Sequence, residues 1–123
     1  MRFFARHAAA LLLCSTLTLN VFAQENSPAT STSPLQVQIQ ALGELNGVAL
    51  ACGQFALSTR IKDILVQTAP KEREIGEWFE QSTQQAFLNQ GNQRQNCPSS
   101  RTLAEKIDAA GKALRNTSPA ANP

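Results

Sequence analysis

Residues 35–52, LQVQIQALGELNGVALAC, admit two readings, and the choice between them sets the fold class. Leu35-Gln-Val37-Gln-Ile39-Gln alternates as a half-buried strand does, and Asn46-Gly47 is a hairpin signal. Against this, Leu35, Ile39, Leu42, Leu45 or Asn46, Ala49 and Cys52 recur at steps of three and four, as along one face of a helix. The alternation is lost after Ile39, and Ala, Leu, Glu and Gln favour helix. Ser33 can cap such a helix, Pro34 suits its first turn, and Gly53 stands where it would stop. The spacing predicts one helix over 35–52, with a hairpin as the alternative.

On that helix Gly43, Gly47 and Ala51 lie four apart and form a small-residue stripe. A glycine inside a helix costs roughly 1 kcal/mol against alanine, so close packing has to offset it. The stripe is therefore expected to receive another helix of the same domain. Pairing of two copies through it is the alternative; a monomer is expected, with a homodimer possible.

Working outward, residues 55–68 place Leu57, Ile61, Ile64, Leu65 and Thr68 on one helical face, with Ser58 or Thr59 as the expected cap. Ala69-Pro70 ends that segment, because a residue before proline avoids the helical region. A third helix is expected from Pro70 to Asn89, with Ile75, Trp78, Phe79, Ser82, Ala86 and Phe87 on its inner side and Gly91 as a stop. Its early glutamates suit the positive end of the helix dipole. A fourth follows over 100–115, where Thr102 and Glu105 match a capping box and Leu103, Ile107, Ala110 and Leu114 make the apolar stripe. The fold expected is all-α: a small bundle of three to four amphipathic helices in a single domain over 35–115. A flexible leader over 24–34 and a flexible tail over 116–123 flank it.

The first 23 residues, MRFFARHAAALLLCSTLTLNVFA, carry Arg2 and Arg6, then an apolar run from Ala8 to about Leu19, then Val21-Phe22-Ala23. This is the pattern of a cleavable secretory signal, cut after Ala23. The run is too short and too often interrupted for a membrane span, which needs about 20 predominantly apolar residues. Leu13 before Cys14 does not suit a lipidation motif. The expected location is the periplasm or the exterior, with no membrane span after cleavage.

Cleavage changes the charge. The whole chain carries 11 Lys+Arg against 9 Asp+Glu. Without Arg2 and Arg6 it is formally neutral, so nothing in the net charge points to nucleic acid or an anionic membrane. The only histidine, His7, and Cys14 leave with the signal. Cys52 and Cys97 remain, and in an oxidising compartment two such thiols usually pair. That bridge is worth up to about 4 kcal/mol in the chain-entropy picture.

A mature chain without histidine has no histidine triad, base or metal ligand, and oxidised cysteines provide neither nucleophile nor thiolate. No catalytic residue, cofactor or metal ligand is assigned. Glu77 and Glu80 are three apart, but Lys71, Arg73 and glutamines surround them, as on a solvated face. Trp78-Phe79 is expected to enter the core or to rim a groove, with Phe87 nearby. These three are the candidate contacts for a partner or ligand, since aromatic anchors dominate interface energies. Nine Gln and Asn fall between Gln81 and Asn96, an adaptable polar surface. The function expected is that of an exported binding or accessory protein with a protein partner in the cell envelope: chaperone-like, inhibitory or part of an envelope complex. The alternative is a carrier with a pocket of Leu57, Ile61, Trp78, Phe79 and Phe87 for an apolar ligand.

Overall fold

The computed structural model describes residues 31–93 and 96–118. The expected signal, leader residues 24–30 and tail residues 119–123 lie outside the described residues. The described chain forms four α-helices: α1 (Pro34–Ala51), α2 (Phe55–Thr68), α3 (Arg73–Gly91) and α4 (Ser100–Thr117). The all-α expectation therefore holds, and 35–52 is helical apart from its last residue.

The hairpin reading fails because both of its turn residues have other uses. Asn46 and Gly47 sit deep in α1, one bonded across the core and the other pressed against α3. Ser33 caps α1 by accepting a hydrogen bond from the Gln36 N–H at 3.1 Å, and Pro34 occupies the first turn. Gly53 has φ 68°, a left-handed conformation that a residue with a Cβ rarely adopts, and it turns the chain from α1 into α2.

Other boundaries differ from expectation. α2 begins at Phe55 after Gln54, so neither Ser58 nor Thr59 is its cap. Ser58 is buried one turn in, and Thr59 bonds back to the Phe55 carbonyl. α3 starts at Arg73 instead of Pro70, because Glu72 is extended, and it runs through Gly91. α4 is capped by Ser99, which accepts from the Thr102 N–H at 3.1 Å. The box expected at Thr102 is one turn late, and Glu105 pairs with Arg101 instead. α4 also continues past Arg115 to Thr117. Ser118 beyond it is buried and donates to the Thr68 carbonyl at 2.8 Å, so the chain stays anchored into the expected tail.

Contacts between the helices fix their directions. Gly43 faces Phe79 to Thr83 and Gly47 faces Thr83 to Phe87, so α1 and α3 run in parallel. Arg60 pairs with Asp108, Ile64 covers Gly111, and Thr68 meets Ser118, so α2 and α4 are also parallel. Asn46 meets Ser58 across the α1–α2 turn, which makes that pair antiparallel. The chain is thus an up-down-up-down bundle. α1 touches all three other helices, whereas α3 leans chiefly on α1. The core is built from Ile39, Leu42 and Ala49 of α1, Ile61 of α2, Ile75 and Phe79 of α3, and Leu103, Ile107 and Leu114 of α4.

The Cys52–Cys97 disulfide forms as expected, with Cα atoms 5.8 Å apart. It joins the end of α1 to the approach to α4, at one end of the bundle. Beside it, Gln54 Nε2 donates to the Pro98 carbonyl at 2.9 Å.

Candidate functional site

At the α1–α3 seam small residues bring two backbones together. A Cβ on Gly43 would stand 2.6 Å from the Phe79 carbonyl oxygen and 2.8 Å from Ser82 Cβ. One on Gly47 would stand 2.7 Å from both Ala86 Cβ and the Phe87 nitrogen, and would run into the Thr83 carbonyl. Within the chain, then, α3 occupies the Gly43–Gly47 stretch of the stripe. Ala51, the third member, is half-buried and borders a surface cleft.

This seam also carries a buried polar network. Asn46 is 1% exposed; its Nδ2 donates to Thr83 Oγ1 at 3.2 Å, and its Oδ1 accepts from Ser58 Oγ at 2.6 Å. Thr83 Oγ1 donates to the Gly43 carbonyl at 3.2 Å. The network ties α1, α2 and α3 in one register, as buried amides can when every partner is satisfied.

With its inner side spent on α1, α3 splits its aromatic residues. Phe79 is core, Trp78 is half-buried against the core, and Phe87 is 44% exposed. The expectation that Phe87 shares the inner side is corrected here. Thr83 and Ala86 take the seam, and the part of Phe87 nearest to Gly47 is its backbone nitrogen. Leu88 is 57% exposed and Phe55 65%. Phe55 opens α2, and Phe87 and Leu88 lie in the last turn and a half of α3. All three therefore stand at the disulfide end of the bundle. Among the described residues the other exposed large apolar side chains, Val37 and Val66, belong to the opposite end.

Two clefts meet at Phe87. One, of about 620 Å³, runs past Ala51, Leu88 and Gly91 to the disulfide. The other, of about 650 Å³, has Leu50 and Phe87 as its apolar part and Glu77 and Glu80 on its rim. Glu77 is paired with Arg73 at 2.8 Å. Near the disulfide, Gln54 Oε1 is buried without a hydrogen-bond partner among the described residues.

Of the residues expected for a carrier pocket, Leu57 and Trp78 pack against the core that contains Ile61 and Phe79, and Phe87 stands apart. Ile61 is fully buried and Phe79 is 3% exposed, both closed into the core, while Phe87 faces outward. Among the described residues no three His, Cys, Asp or Glu side chains come together in a metal-binding group, and no helix is long and apolar enough to cross a membrane.

Sequence reasoning passed over Phe55 and Leu88. The signal was present: each is a large apolar residue off its helix's apolar stripe, Phe55 about 200° from Leu57 at 100° per residue. Comparison of the chain with protein-family models, curated proteins and solved structures finds no match.

Proposed function

We propose that this chain is an exported, non-enzymatic accessory protein that binds a protein partner in the cell envelope through the disulfide end of its bundle. The observation that carries this reading is the exposure of Phe87 and Leu88 side by side on one cleft, with Phe55 also exposed at the same end, where the Cys52–Cys97 bridge holds the bundle together. Single exposed apolar residues are ordinary, whereas an exposed apolar pair beside an open cleft is a feature of contact surfaces. Aromatic side chains on helices are good anchors, because little conformational freedom is left to lose on binding. The signal-like first 23 residues support an extracytoplasmic site, and the neutral charge of the rest supports a contact driven by shape and apolar burial. The packing of Ile61 and Phe79 weighs against the carrier alternative.

Capture experiments from envelope extract test this. The mature, disulfide-bonded protein is compared with a Phe55→Ser, Phe87→Ser, Leu88→Ser variant of unchanged helicity. A partner retained by the first and reduced about tenfold or more with the second is expected. Equal recovery by both, or no protein above a disulfide-bonded control, would overturn the reading. So would an apolar small molecule retained in native mass spectrometry.

A further inference from the structure

On the other flank of the α1–α3 seam lies a third cleft, of about 410 Å³. Val48 and Ala86 are its apolar members, Glu44 is its one charged residue, and Gln85, Asn89 and Gln93 follow one another along α3 and the turn after it. Among the described residues no hydrogen bond engages the side chains of these three amides, and no ion pair engages Glu44. Gln90, also in this wall, is engaged: its amide donates to Cys97 Sγ at 3.8 Å.

A carboxamide offers a donor and an acceptor together, the complement of a peptide group. Residues four apart on a helix rise about 6 Å. Alternate residues of an extended chain are separated by about 6.6 Å. The amides of Gln85 and Asn89, four apart on α3, thus step almost in phase with the backbone of a strand laid along them, and Gln93 extends the wall into the turn beyond Gly91. The adjoining apolar members are small or branched, which leaves room for a main chain. The lone carboxylate lies on α1 beside the Ser82 end of the row, where it favours a cation. We infer that this cleft binds an extended peptide segment through its backbone, with a lysine or arginine of that segment against Glu44. The inference rests on the reading of this chain as a protein-binding one, but not on the Phe87 end.

The probe is a fluorescein-labelled decapeptide of alternating Ser and Val with one central Lys, titrated by anisotropy into the mature protein. Five comparisons are made: the same peptide N-methylated at alternate residues, the same peptide with Gln for Lys, and the protein variants Gln85→Ala with Asn89→Ala, Glu44→Gln, and Phe87→Ser. Both residues of the double variant are exposed, so the fold is retained and circular dichroism verifies it. Saturable binding is expected, weakened about tenfold by either N-methylation or the double variant, since each lost hydrogen bond contributes modestly. Glu44→Gln is expected to abolish the preference for Lys over Gln, and Phe87→Ser to leave binding within about twofold. No saturable binding, equal binding of parent and N-methylated peptides, or loss of binding in Phe87→Ser would overturn the inference. Peptide binding that survives while partner capture fails would instead remove the reading of the Phe87 end and leave the cleft standing.

Discussion

The bundle contains two parallel helix pairs, and they are joined by opposite means. At the α1–α3 seam the close contacts are backbone atoms: carbonyls of Phe79 and Thr83 lie where Cβ atoms of Gly43 and Gly47 would be. At the α2–α4 seam a glycine is also present, but what covers Gly111 is the flexible side chain of Ile64, with Cδ1 3.2 Å from where a Cβ would stand. The first seam is rigid in position and specified by a polar network. The second is filled by branched aliphatic groups that can repack. The same residue type therefore carries different weight in the two places, and what it meets decides the weight.

Substitutions sharpen this contrast. The double variant Gly43→Ala, Gly47→Ala is expected to cost at least about 4 kcal/mol in denaturant unfolding, because neither carbonyl can move without parting the helices. A loss below about 1 kcal/mol would show the seam to be as pliable as the other. Removing the bridge with Cys52→Ser, Cys97→Ser is expected to cost about 3 kcal/mol, below the chain-entropy figure because the reduced chain keeps some order. Asn46→Ala leaves Ser58 without its acceptor and Thr83 without a donor, and should cost about 2 kcal/mol. Gly111→Ala should fall within about 1 kcal/mol of the parent, the helix-propensity gain offsetting the shift of Ile64. Smallest of all, Arg60→Ala removes an exposed pair with Asp108 and should change stability by less than about 1 kcal/mol.

The helices were legible because apolar periodicity and breakers such as Gly53 and Pro70 act locally. The close crossing at Gly43 and Gly47 was legible for the same reason: a glycine in an otherwise good helix implies a near neighbour. Helix starts were less so. Ser99 and Ser58 are equally good caps in isolation, and only the tertiary position of Ser58, buried against Asn46, removes it from that role. The double role of Asn46-Gly47 was hidden, since nothing local says that Ser58 and Thr83 will converge on it. Spacing alone sets Phe87 beside the inner residues, but α3 packs chiefly on one neighbour and has a narrower inner face than a central helix. That Phe55 falls at the same end as Phe87 and Leu88 depends on helix direction, which periodicity does not contain.

The claim that the disulfide end is the partner-binding surface is tested most directly by site-specific photocrosslinking in cells expressing the full chain. Benzoylphenylalanine replaces Phe55, Phe87 or, at the opposite end, Val66. A crosslinked species of one mass from positions 55 and 87, and none from 66, is the expected result. Crosslinking of equal yield from all three, or from position 66 alone, would contradict it.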